Sequence, residues 1–141
     1  MESSDPTQIR VLAVTVDDIT SAIEANIRRD AGAVLRVTPP FNGRMRARLH
    51  RQGAEHDYAE PAPLHIPPEQ FLKSIPEFPS PDRTEDELRT DPDVEYTPNR
   101  HRERHQDAVE RWRRDLREAV AQTISIETPE GTHEVRIAPL G

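Results

Sequence analysis

Residues 43–51 read Gly-Arg-Met-Arg-Ala-Arg-Leu-His-Arg, which sets Arg44, Arg46, Arg48 and His50 at every second position, with Arg51 closing the run. Successive side chains of a strand point to opposite faces. As a strand, this stretch carries a cationic outer surface over an apolar underside of Met45, Ala47 and Leu49. Guanidinium groups spaced about 7 Å apart along a strand can track phosphates, whose oxygens the planar fork of arginine matches. The same row can instead pair with Asp and Glu of neighbouring strands as a salt-bridged sheet surface. These five residues are the candidate binding site, with nucleic acid and a protein partner as the two classes of ligand.

Other constellations are weaker. His101 and His105 stand at i and i+4 on a helix, the spacing of a two-histidine metal site. Arg102 follows His101 where a zinc protease needs a glutamate, so packing or rim histidines are the expected role and no metal is assigned. Arg111, Arg113, Arg114 and Arg117 alternate with Glu110, Asp115 and Glu118, which reads as a solvated helix face laced by i, i+4 pairs. Phe41, beside Pro39 and Pro40, either anchors a partner or folds back on the core, and the core is favoured. Gly-rich phosphate loops, nucleophile elbows and catalytic triads have no match, so no catalytic residue and no cofactor is assigned.

The elements that must hold these residues follow from hydrophobic period and punctuation. Ile9–Thr15 is a β-branched run and reads as a buried strand. Ile19, Ala22, Ile23 and Ile27 recur at helical spacing after a cap at Thr15 or Asp17, with Gly32 as the stop. Ala33–Val37 is a second strand, broken by residues 39–43 and forming a hairpin with the arginine strand. Most of the 14 prolines then fall within residues 52–98, where only short helices fit, over 67–73 and over 84–88 with Thr84 and Glu87 as a capping box. Leu64, Ile66, Phe71, Leu72, Ile75 and Phe78 are expected to pin this irregular segment to the core as an ordered wrap; a flexible insertion is the alternative.

Thr97 and Pro98 open the longest helix, running to about residue 122 on a stripe of Ala108, Val109, Trp112, Leu116, Ala119 and Val120. Residues 124–127 and 133–137 make a second hairpin. The expected architecture is a single α+β domain over 1–141 with a disordered 1–8, two-layered, with two main helices on an antiparallel sheet. Its order is β-α-β-β, the Pro-rich segment, then α-β-β, which is ferredoxin-like in its sequence of elements if the last strand is set aside.

Composition narrows the setting. Zero cysteines remove disulfides, thiolate metal sites and thiol nucleophiles. No apolar run is long enough to cross a bilayer and none follows a basic start, so a cytoplasmic protein without membrane contact is expected. The 19 basic residues are 18 Arg and the single Lys73, against 26 acids and a net charge of −7. A salt-adapted, GC-rich genome would yield that bias, the acidic surplus keeping the surface hydrated. The run Asp30–Phe41, the arginine stretch Gly43–His50, and Asp91–Pro98 ahead of a helix resemble an uncharacterised family of small haloarchaeal proteins, a domain of unknown function. The resemblance covers nearly the whole chain and implies a halophilic archaeal source and a cytoplasmic address. It brings no activity with it.

Overall fold

The computed structural model describes residues 4–51 and 62–141. At the start of the chain, where fraying was expected, Asp5 accepts from the amide of Thr7 at 2.9 Å and caps a 3-10 turn over Pro6–Gln8. The β-branched run then forms β1 (Val11–Thr15), with Leu12 and Val14 buried and their neighbours half-buried. Thr15 ends the strand and caps α1 (Val16–Arg29), its hydroxyl accepting from the amide of Asp18 at 3.1 Å. Ile19, Ala22 and Ile23 bury the apolar face of α1. The helix stops at Asp30, which takes the left-handed conformation at φ 49°, two residues before the expected Gly32. Asn26 then brackets Ala33 through both its amide atoms, at 2.9 and 2.7 Å, tying the helix end to the next strand.

β2 (Ala33–Val37) and β4 (Arg48–Arg51) pair antiparallel, as the hairpin reading required, with Val34 opposite His50 and Arg36 opposite Arg48. β3 (Arg44–Arg46) goes elsewhere: it lies parallel to β1, with Val11 opposite Arg44 and Ala13 opposite Arg46. The expected continuous arginine strand is therefore two strands in two sheets. The crossing point is Ala47, which is fully buried and donates its amide to Ala13 O at 2.9 Å. Alanine is the smallest side chain between Arg44 and Arg51, and close packing around a fully buried position favours a small residue there.

Leu64–Ile66, expected only as an apolar patch, is β5 and adds to β2, giving a three-stranded sheet in the order β4-β2-β5. β6 (Thr123–Thr128) and β7 (Gly131–Leu140) form the second hairpin as read, and β7 runs parallel to β1. The other sheet is thus β3-β1-β7-β6. The α+β class matches the reading, and so does the order of elements apart from the division of the arginine strand into β3 and β4 and the added β5; the single antiparallel sheet does not, because the strands form two sheets and β1 is parallel to both its neighbours.

The Pro-rich segment is partly pinned as expected. Residues 52–61 of it lie outside the described residues. Ile66 and Phe71 are buried, Phe71 at the end of a 3-10 turn over Pro68–Phe71. Backbone bonds from Lys73 N to Ala119 O and from Ala121 N to Phe71 O, both 2.8 Å, hold this stretch beside residues 119–121. Ile75, by contrast, is 51% exposed.

The chain clusters into two compact units, Met1–Lys73 with Ala119–Gly141, and Ser74–Glu118. In the second, α2 (Pro81–Arg89) packs against α3 (Pro98–Glu118). α2 begins three residues before the expected start. Ser80 is its cap, accepting from Arg83 N at 3.1 Å, and Pro81 is its first residue, the same cap-then-proline device as Thr97 and Pro98. Thr84 is an interior residue instead of a cap. α3 stops at Glu118, short of residue 122, because the backbone of residues 119–121 pairs with residues 71–73. Trp112 donates Nε1–H to Pro76 O at 3.0 Å and meets Phe78 edge-on at 4.8 Å.

Candidate interaction surface

The alternation of β1, β3 and β7 decides which side chains share a face. Leu12, Val14, Val135 and Ile137 point into the core. Their neighbours Val11, Ala13, Arg44, Arg46, Arg136 and Ala138 therefore stand on the other face. Arg136 and Arg44 flank Val11 across the sheet, and Ala138 and Arg46 flank Ala13. Arg44 and Arg136 are exposed and Arg46 is half-buried. Among the described residues none of the three forms an ion pair, and the Nε of Arg46 is shut off from solvent without a hydrogen-bond partner. The salt-bridged row, the ordinary fate of such arginines in a chain with 26 acids, is not formed by these three among those residues.

The remaining candidates sit on the three-stranded sheet. Arg48, Arg36 and His65 lie in one cross-strand row, with His50 two residues along on the same face. His50 and His65 stack with ring centroids 5.2 Å apart and an interplanar angle of 13°. Arg51 turns back, its Nε donating to Ala31 O at 3.3 Å. Leu49, expected beneath the ribbon, is 44% exposed. Among the described residues β4 ends its sheet, and an edge strand shields its side chains from one flank only.

The structure thus divides the five candidate residues into Arg44 with Arg46, and Arg48 with His50 and Arg51. It adds Arg136 to the first group and Arg36 and His65 to the second. The outward parity of Arg136 was legible in the alternation of residues 133–137, but its neighbourhood with Arg44 depends on which strand lies beside β7. His65 was hidden because a three-residue strand between prolines gives almost no periodic signal.

Phe41 is buried, which favours the core over a partner anchor. His101 and His105 pack in the α2–α3 unit: His101 Nε2 lies 2.9 Å from Pro81 O and 3.1 Å from Thr84 Oγ1, and His105 Nδ1 lies 3.2 Å from the same hydroxyl. A carbonyl oxygen only accepts, so His101 carries its proton on Nε2. Among the described residues, no three His, Asp or Glu side chains converge as for a metal. An open cleft of about 540 Å³ beside α3 has Leu88 and Val94 in its lining, with Arg100 and Arg104 among its charged residues. Arg104 is already committed to Asp91 at 3.3 Å. The Asp91 carboxyl is held below its usual range, chiefly by accepting from the amide of Asp93 and further by Arg104.

No helix among the described residues is long and apolar enough to cross a membrane. Searches for similar proteins match no curated protein and no solved structure. The whole chain, residues 1–141, does match a family described as Domain of unknown function (DUF8009), and the protein belongs to that family.

Proposed function

We propose that this is a small non-enzymatic binding protein that meets a protein or assembly partner through the arginine-bearing face of its four-stranded sheet, with the Pro-rich segment as a second contact. The observation that carries this reading is the set Arg44, Arg46 and Arg136 on one face, without carboxylate partners among the described residues, set among Val11, Ala13 and Ala138. Cationic forks among small apolar side chains offer a partner both charge-assisted hydrogen bonds and area to bury.

Nucleic acid is the alternative, and two features weigh against it. The arginine ribbon breaks at Ala47, so a regular row of phosphate contacts ends after two residues. None of the seven strands among the described residues carries Phe, Tyr or Trp, so bases find no stacking platform on them. The surplus of acids and the near absence of lysine support a haloarchaeal source and a cytoplasmic address. In molar salt the screening length falls to about 3 Å. Contacts in such a cell work at hydrogen-bond range, which suits arginine forks and disfavours long-range attraction to a polyanion.

The test is capture by the tagged full chain from a lysate of the native source, with and without nuclease, followed by rebinding of the purified partner. Capture that survives nuclease and is lost in the Arg44→Gln, Arg46→Gln, Arg136→Gln variant is expected. Capture abolished by nuclease would transfer the face to nucleic acid, and capture indifferent to the three substitutions would remove the face from the binding site.

A further inference from the structure

We propose that β3 is a docking edge that accepts an extended acidic segment of the partner as an added strand, with the pattern acidic, apolar, acidic. This rests on the protein-partner reading and specifies its chemistry. β3 ends the four-stranded sheet among the described residues. Val11 donates to Gly43 O at 3.0 Å and Ala47 donates to Ala13 O at 2.9 Å, so the backbone groups of Gly43, Met45 and Ala47 face β1. Backbone groups of successive strand residues point to opposite sides. Those of Arg44 and Arg46 therefore point away from the sheet.

Asn42 Oδ1 takes the amide of Arg44 at 2.9 Å. Among the described residues, the outward groups that remain are the carbonyl of Arg44 and both the amide and the carbonyl of Arg46. Together they can make three main-chain hydrogen bonds with one incoming strand, the mode in which an extended peptide adds to a sheet edge.

Side-chain register then sets the sequence of that strand. Residues opposite Arg44 and Arg46 stand two apart and on the same face, at the separation where opposite charges attract across strands. A carboxylate at each position would meet a guanidinium. The residue between them shares the side of Met45, which is half-buried beneath the sheet, and is apolar. A second copy of β3 is excluded as the occupant because it would set arginine against arginine.

The probe is a peptide of alternating Glu and Val, titrated into the ¹⁵N-labelled full chain while amide exchange is followed. At saturation the Arg46 amide is expected to exchange about tenfold more slowly, while Met45, already bonded to β1, changes little. Loss of a charge-assisted contact in Arg44→Gln or Arg46→Gln should weaken binding about tenfold or more. A peptide N-methylated at alternate residues, on the side facing β3, should not bind.

Three results overturn the edge: equal binding of the N-methylated peptide, no protection at Arg46, or tighter binding of a single-stranded oligonucleotide than of the peptide. If the lysate partner is still lost in the arginine variant while either of the first two results is obtained, the face survives as the binding site and only the strand-addition mode fails.

Discussion

Replacing Phe71 and Ile75 separately by alanine tests whether the Pro-rich segment is built into the fold. Four residues apart in the same stretch, they look alike in the sequence, yet Phe71 is fully buried and Ile75 is 51% exposed. Phe71→Ala leaves a cavity in addition to losing transfer energy, a cost of about 3–5 kcal/mol. Full burial of an isoleucine stabilises by at most about 3 kcal/mol. Half-exposed, Ile75 accounts for no more than about 1.5 kcal/mol by the same measure. With a urea dependence near 2 kcal/mol per molar, those costs translate to midpoint shifts of about 1.5–2.5 M for Phe71→Ala and below about 0.8 M for Ile75→Ala. Urea unfolding followed by far-ultraviolet circular dichroism reads both shifts. Equal shifts, or a Phe71→Ala shift below about 0.5 M with an unchanged slope, would refute the argument that Phe71 anchors this segment in the core.

Thr15→Ala removes the cap of α1 and should lower stability by about 1 kcal/mol, measured by the same unfolding curve, whereas Thr15→Ser should recover most of it. Thr84 is 3% exposed and its hydroxyl meets both His101 and His105. Thr84→Val keeps the shape, removes those hydrogen bonds, and is expected to cost about 1–3 kcal/mol, with shifts of the His101 and His105 ring signals in NMR spectra. The lowered carboxyl of Asp91 stabilises the fold fully above the ordinary carboxylate range, and the stabilisation is lost as pH falls through the lowered value. Asp91→Asn should therefore flatten the acid limb of the stability profile, and an unaltered limb in pH-dependent unfolding would show that Asp91 is not coupled to folding.

The amino-acid sequence alone determined what depends on neighbours within a few residues. Thr15 as one of two candidate caps, Ile19, Ala22 and Ile23 on the stripe of α1, Thr97–Pro98 as a helix start and the turn between β6 and β7 were legible, because capping, helical period and turn chemistry act over short spans; Ile27, expected on the same stripe, is 47% exposed. The alternation of Arg44, Arg46, Arg48 and His50 was legible too, since strand parity is local. Tertiary structure decided where those parities end. The chain crosses between sheets at Ala47, β1 has β3 and β7 as parallel neighbours, and residues 64–66 become a strand only because β2 offers them an edge. Strand partners are chosen by burial and backbone pairing between segments as far apart as Val11 and Arg136, and no local pattern encodes that choice. The same long-range pairing puts Arg136 on one face with Arg44 and Arg46, across β1 from them, assembling from three separate strands the face on which the binding proposal rests.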